Sequence, residues 1–555
     1  MTKSDMKLRM LSIAAALVCC ISCVEKNPTL GMDTIPVDQL FDIYTVEIPL
    51  EKIELKMADS LSGFSSTRAT MGSVRDSEYG LSKKGCAITL VPVFDKEEGI
   101  DFGKDPVFKG FHFSIAKDTI SSIDPRYDRI LQTVNVYELE APIKPSKDFD
   151  INKAVKHGTK RITKTTPVYN GGDSLSFEFS AEYGKRFLGL TKEELSDFSK
   201  YSEKFPGIYI ETEDPIGEGG RFNLFKLQLD YDSEYQYING NYADLKFNAE
   251  YDGVRKDTLI HFYYSPTDFY DLDSLLTNSS TGKFPQYCLN VASHETRPKA
   301  GVAGDIIPIE GGGGLKPVVS ASYLREIVSE AILSKGGNPR STVINKASLV
   351  FPFEFPDDYK EVDNLWPDIL SPTCRVIADT TTSFMGLTDS SSSDENQGDI
   401  NRSVWQYAPD ITYHMQELIK IDEAKGGDKV ERLKNGSYDI WLLIMANETV
   451  TNTTNNNSEM SDYYKYLAYQ SYYNSMYGGG YGGYGYGGYG GYGSYYSNYY
   501  SYMMMAQYAS GSSTSTSVQA MLDKDRFYKA ALNGPLHSGK KPTLKLTFSV
   551  PKQAK

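Results

Sequence analysis

Apolar and polar side chains alternate with a period of two along much of the chain. Phe41-Asp42-Ile43-Tyr44-Thr45-Val46 shows it, as do Leu175, Phe177 and Phe179, and Leu544, Leu546, Phe548 and Val550. Successive side chains of a strand point to opposite faces, so this pattern predicts sheets with one buried face. Leu245, Phe247, Ala249 and Tyr251 alternate up to Asp252-Gly253, and an apolar run at residues 259–264 follows. Asp-Gly between two such runs predicts a hairpin turn, because glycine accepts positive φ without steric cost. Asn170-Gly171-Gly172-Asp173 predicts another turn.

Helical periodicity is confined to three short stretches. Thr191 and Glu194 make a capping box ahead of Leu195 and Phe198, with Pro206-Gly207 as the stop. Leu324, Ile327, Val328, Ala331 and Ile332 form an i, i+3, i+4, i+7, i+8 stripe ending at Gly336-Gly337. Met415, Leu418 and Ile419 share a face after Asp410. Packing on the chain's own sheets is the simplest use of such stripes. Many strands with a few interposed helices predict a mainly β protein of two β-sandwich or jelly-roll-like domains. Residues 311–314, all glycine, read as the joint between an N-terminal β domain (39–303) and a C-terminal jelly-roll-like one (304–555).

The tract 452–515 is of a different kind. It passes from Asn/Thr-rich sequence through repeated Tyr-Gly at 477–492 to Met503-Met504-Met505 and a Ser/Thr run. Such a composition cannot bury a packed core, so a disordered low-complexity insertion is expected, an overgrown loop between strands at 438–445 and 543–550.

At the other end, Lys3, Lys7 and Arg9 precede an apolar run at residues 10–21 that ends in Ser22-Cys23. The run has signal-peptide length and is too short for a permanent anchor. A small residue before a cysteine is what lipoprotein signal peptidase needs, because that cysteine receives the lipid. Cys20 stands where leucine is usual. Residues 1–22 are therefore read as a lipoprotein signal peptide, 23–38 as a lipidated tether, and Cys23 as the lipidation site. No later stretch of about 18 apolar residues follows, so lipid is the only membrane attachment expected.

Charge narrows the partners. The formal net charge is −14, and Lys3, Lys7 and Arg9 less Asp5 contribute +2 of it, leaving −16 after cleavage. An acidic surface argues against nucleic acid and against adsorption to anionic lipid. After Cys23 only Cys86, Cys288 and Cys374 remain, so at most one disulfide can form and buried free thiols are the simpler expectation.

No catalytic constellation stands out. The histidines at 112, 157, 261, 294, 414 and 537 lack metal-binding spacing, and no Gly-x-Ser-x-Gly elbow occurs. Residues 311–314 are not followed by the Gly-Lys-Ser/Thr of a phosphate loop, so no cofactor is expected. Carboxylates are plentiful, which leaves a glycosidase pair open. The loop Asp394-Glu395-Asn396-Gln397-Gly398-Asp399 offers hard oxygen donors, making Asp394 and Asp399 a weak Ca²⁺ candidate; it departs from EF-hand spacing, and a solvated acidic loop is the simpler account. Asp followed by Ser or Thr and then an apolar residue or Thr occurs seven times, at Thr34, Ser60, Thr119, Ser174, Thr258, Ser274 and Thr380. These triplets resemble the O-glycosylation sequon of Bacteroidota, and equally fit a turn handing over to a strand.

Longer segments carry a family resemblance. Leu30-Gly31-Met32-Asp33-Thr34-Ile35-Pro36, Gly72-Ser73-Val74-Arg75-Asp76-Ser77-Glu78-Tyr79-Gly80 and Val134-Asn135-Val136-Tyr137-Glu138-Leu139 lead the set. Ile344-Asn345-Lys346-Ala347-Ser348-Leu349-Val350 and Leu544-Lys545-Leu546-Thr547-Phe548 complete it. Together they resemble a Bacteroidota lipoprotein family known as domain of unknown function 4270, over nearly the whole mature chain. The resemblance implies an outer-membrane lipoprotein without an established activity, and supplies no catalytic residues. The C-terminal half also resembles jelly-roll modules of bacterial surface proteins, through residues 345–349 and Asp410-Ile411-Thr412 with Gln416; their Trp and Asn-Tyr-Gly continuation is lacking.

The expectation is a non-enzymatic outer-membrane lipoprotein, a binding or scaffold subunit of a cell-envelope assembly with an outer-membrane protein partner. A surface glycan-binding lipoprotein is the alternative, and a hydrolase with an unrecognised site a third. The membrane face is open, with the surface favoured, although Val24-Glu25-Lys26-Asn27 carries a single acid beside a lysine.

Overall fold

The computed structural model describes residues 40–58, 61–65, 68–92, 100–118, 130–144, 149–227, 230–232, 237–239, 242–264, 286–295, 299–356, 365–377, 382–387, 398–453, 514–526 and 528–552. The chain is mainly β, built of antiparallel sheets in a sandwich-like arrangement.

In the N-terminal half, one sheet runs Gly219–Lys226, Arg68–Asp76, Gly80–Ile88, Ile208–Thr212, Gln132–Leu139, His157–Arg161, with Cys288–His294 also on Gly80–Ile88. A second runs Ser174–Glu178, Lys104–Ala116, Tyr242–Tyr251, Val254–Tyr263, Val91–Pro92. Their facing sides share one core, in which Phe111, Phe113, Phe247 and Phe262 meet Met71, Ile88, Val136 and Ile210. The Asp-Gly hairpin forms as expected: Tyr251 pairs with Val254, and Asp252 and Gly253 take φ of 52° and 79°.

In the C-terminal half, a third sheet runs Phe41–Pro49, Thr543–Pro551, Val343–Pro352, Gln406–Tyr407, Ile400–Asn401. A fourth runs Gly301–Val302, Glu54–Met57, Leu315–Val319, Ile440–Thr453, Ile369–Ile377, Thr382–Gly386. Leu544, Leu546 and Phe548 of the third bury against Val319, Ile440 and Leu442 of the fourth. The predicted stripes close the same core: Leu324, Val328 and Ile332 from helix Ala321–Ser334, and Met415, Leu418 and Ile419 from helix Thr412–Ile419.

Four expectations change. The boundary at residue 39 moves, because Phe41–Pro49 pairs with Thr543–Pro551 along its full length and Glu54–Met57 pairs with Leu315–Val319. Alternation shows that a segment is a strand but carries no address for its partner, so this closure was invisible locally. Residues 311–314 are no joint: they are a buried turn between Ile306–Glu310 and Leu315–Val319. The helical stretch after Thr191 splits in two, Lys192–Ser196 and Phe198–Lys204, because Asp197 leaves the helix (φ −125°) and caps the second piece through Ser199 and Lys200 N–H. Finally, Ile440–Thr453 continues past 445 and pairs with Thr514–Leu522, closing at Thr453 opposite Thr514. The 452–515 tract is thus entered and left along one hairpin, and residues 454–513 lie outside the described ones.

One buried group ties this half to pH. His414 lies inside helix Thr412–Ile419, its Nε2 3.0 Å from the Tyr438 carbonyl. Burial pushes its imidazole from 6.5 down to about 4. The folded state therefore binds this proton less tightly than the unfolded chain. Its stability contribution is complete above pH 6.5 and is lost as pH falls through 4, by up to about 3 kcal/mol. Going from pH 7 to pH 4, the urea midpoint of His414→Phe is expected to change more favourably than that of the native protein, the difference between the two reporting this group.

Candidate functional site

Of the residues singled out from sequence, Cys23, Thr34, Ser60, Thr119, Ser274, Thr380 and Asp394 lie outside the described residues. Ser174 opens its strand exposed, whereas Thr258 pairs with the fully buried Phe247 and so faces the core side. Asp399 is exposed, its carboxyl raised by partial desolvation and by the charge of Asp368. Among the described residues no group of three or more His, Cys, Asp or Glu is arranged to hold a metal ion. Cys86, Cys288 and Cys374 are buried free thiols, and burial pushes Cys86 up to about 12, far from a reactive thiolate.

Two histidine arrangements could have been catalytic and are built otherwise. Ser82, His294 and Glu310 come together in the interior, but Ser82 Oγ (3.3 Å) and Glu310 Oε1 (3.6 Å) both approach Nδ1. A nucleophile relay needs its hydroxyl and its carboxylate on opposite ring nitrogens, and here Nε2 makes no hydrogen bond. On the outer face of the second sheet, Glu178, His112, Asp244 and His261 are cross-strand neighbours in one row. His112 meets Glu178 at 3.1 Å and His261 meets Asp244 at 2.6 Å. The row is linear, so its groups pair sideways instead of converging on one point.

The feature that sequence reasoning missed is a buried ionic seam between the halves. Arg68 Nε donates to Asp118 Oδ2 at 2.6 Å, and its Nη1 lies 3.4 Å from Asp525. Lys84 Nζ donates to the Arg526 carbonyl at 3.3 Å, over the Phe222 ring. Lys524 Nζ donates to Ser62 O at 2.9 Å, and Lys529 pairs with Asp76. The glycine turn belongs to this seam: Gly311 N–H donates to Tyr528 O at 2.6 Å, and Asn152 donates to Gly313 O at 2.8 Å. The only sequence hint was Asp523-Lys524-Asp525-Arg526, an alternation of sign between two strands. The segment follows the return strand of the hairpin that carries the 452–515 tract, so it fastens that hairpin to the N-terminal sheets.

Its charges carry a pH signature of their own. Burial, helped by the charge of Asp525, raises Asp523 from 3.8 to about 6. A carboxyl raised on folding binds its proton more tightly in the folded state, so its contribution favours folding below about pH 4 and is lost as pH rises through 6. Asp523→Asn is expected to remove that slope, read as the difference in urea midpoint between pH 4 and pH 7 from native. The opposite sign separates it from His414.

The outer face of the third sheet is graded. At the end adjoining residue 40, Phe41 lies opposite Pro551, and Ile43, Ser549 and Val343 lie in one row. Ile43 is 68 % exposed and Phe41 48 %. Further along the face comes Thr45 against Thr547 at 3.1 Å, then Glu47 against Lys545 at 3.3 Å. The apolar end is the one from which the chain leads back toward Cys23. No family model, curated protein or solved structure matches this chain.

Proposed function

We propose that this chain is a non-enzymatic binding or scaffold subunit of a cell-envelope assembly, tethered at an outer membrane through lipid on Cys23. The observation that carries the reading is the graded face beside the tether. Sixteen residues lie between Cys23 and Leu40, at most about 60 Å of chain. The strand that receives this segment is an edge strand, with Phe41 and Ile43 turned outward. Apolar side chains at that end lose contact with water when they rest on the hydrocarbon boundary, and the charged end of the same face stays solvated. The ionic seam supports a scaffold role, because it fastens the hairpin bearing the Tyr/Gly tract to the rest of the body.

Capture of the tagged full chain from gently solubilised, crosslinked envelopes tests the reading. Stoichiometric recovery of an outer-membrane protein is expected, with the yield dependent on Cys23. Recovery of the chain alone from crosslinked membranes overturns the subunit role. Protease shaving of intact cells assigns the face: cleavage within 454–513 is expected at the surface, and full protection places the chain inside.

A further inference from the structure

The third sheet ends in a four-residue loop, residues 402–405, between strands Ile400–Asn401 and Gln406–Tyr407. Its last residue, Trp405, has φ +57° and is 47 % exposed. The left-handed region is comfortable for glycine and tolerable for asparagine; for a bulky side chain it is an outlier. The loop does not depend on the indole for its shape. Asn401 Oδ1 accepts from Ser403 and Val404 N–H at 3.1 and 3.3 Å, and the Trp405 carbonyl accepts from Phe353 N–H. A strained, exposed tryptophan in a loop that glycine would serve better points to a use for the ring itself.

The surroundings indicate what the ring meets. Trp405 stands edge-to-face on Phe355 with centroids 6.0 Å apart, and Phe355 leans on Trp366 behind it at 5.2 Å. Arg402 covers the same Phe355 ring at 5.7 Å and donates to Asp368 at 3.2 Å. Aromatic wall and ion pair therefore sit side by side at the surface, both Arg402 and Asp368 being exposed. Asp399 adds a surface carboxyl, raised by partial desolvation and then by the charge of Asp368. A protein-binding hot spot sits in a well-packed pocket whose surrounding contacts exclude water. Here the indole is backed by Phe355 but exposed on its loop, whose Asn401, Arg402 and Ser403 are exposed hydrogen-bonding groups, with Asp368 held on Arg402.

We propose that Trp405, with Arg402 and Asp368, is a carbohydrate-binding site that stacks the C–H face of a neutral pyranose on the indole and hydrogen-bonds its hydroxyls through the guanidinium and carboxylate. An indole face attracts weakly polarised C–H groups, and a planar Arg–carboxylate pair offers both donors and acceptors to vicinal hydroxyls. The site lies in the C-terminal half and does not depend on lipidation or on the assembly proposed above.

Fluorescence can read it directly. The chain has three tryptophans, and Trp366 and Trp441 are buried at 5 % and 4 % exposure. Acrylamide quenching of the full-length chain carrying Cys23→Ser therefore reports mainly Trp405. Cello-, manno- and xylohexaose at millimolar concentration are the ligands tested, beside sugar-free detergent-solubilised envelope protein. At least one hexasaccharide is expected to halve the quenching or better and to blue-shift the emission. Titrated by calorimetry, Trp405→Ala is expected to lose at least tenfold in affinity, and Arg402→Ala severalfold. Trp405→Gly is expected to lose binding equally while raising the Tm by roughly 1–3 °C, since it relieves the strain. Quenching unaffected by every hexasaccharide overturns the proposal, as does undiminished affinity in Trp405→Ala. Protection by envelope protein alone overturns it in favour of a protein contact.

Discussion

Arg68→Ala is expected to destabilise the folded chain by about 3–5 kcal/mol, because it strips the guanidinium from a carboxylate that stays buried. Arg68 and Asp118 are 9 % and 7 % exposed and 2.6 Å apart, so the orphaned charge cannot simply turn to water. The cost is mostly the stranded partner, not the net worth of the pair. Arg68→Met with Asp118→Leu is accordingly expected to recover most of the loss. Because Arg68 also faces Asp525 across the seam, the single variant should loosen the two halves from each other. Urea denaturation is expected to show an earlier midpoint and two separated transitions in place of one. A loss below about 1 kcal/mol, typical of an exposed pair, would contradict the buried seam.

Gly311→Val is expected to cost about 3 kcal/mol or more, again by urea denaturation. A Cβ at Gly311 would sit 2.9 Å from the Arg526 carbonyl and 3.0 Å from Tyr528 N. Both are backbone atoms that cannot swing away, and Gly311 N–H holds that same segment through Tyr528 O. Overpacking here pushes the 523–529 segment off the N-terminal sheets. Gly312→Ala asks less: its Cβ would stand 3.1 Å from the Lys524 carbonyl at φ +56°, and about 1–2 kcal/mol is expected. A flexible joint would tolerate both. Four glycines in a row have two physical readings, freedom to move and permission to be crowded. Only the neighbours, distant in sequence, decide between them.

That distinction runs through the molecule. Period-two and period-3.6 patterns are set within a segment, so the strands, the Asp252-Gly253 hairpin, the Thr191/Glu194 capping box and both amphipathic helices were legible. Partner choice is not local. The pairing of Phe41–Pro49 with Thr543–Pro551 joins chain regions some five hundred residues apart, and nothing in either strand's alternation names the other. The hairpin return at Thr514–Leu522 was hidden for a different reason: its Thr-Ser-Thr-Ser start reads as low complexity, although it ladders against Ile440–Thr453 through backbone groups that any sequence supplies.

The sites divide the same way. A charged run such as Asp523-Lys524-Asp525-Arg526 looks solvated in sequence because burial is a tertiary property; only the facing Arg68 and Lys84 make it a seam. Trp405 carried no signal at all, since an isolated tryptophan in sequence is normally core and its backbone conformation cannot be read from composition. Ser174 and Thr258 shared one motif but face opposite sides of their sheet. If the triplets are modified on the folded protein, glycopeptide mapping is expected to find Ser174 and not Thr258.

The most direct test of the central claim is the mass of the N-terminal peptide of the protein extracted from its native membrane. The account predicts a chain that begins at Cys23, with a diacylglyceryl group on the sulfur and an acyl group on the new amino terminus. A chain that retains residues 1–22, or one carrying Cys23 as an unmodified thiol, would contradict it.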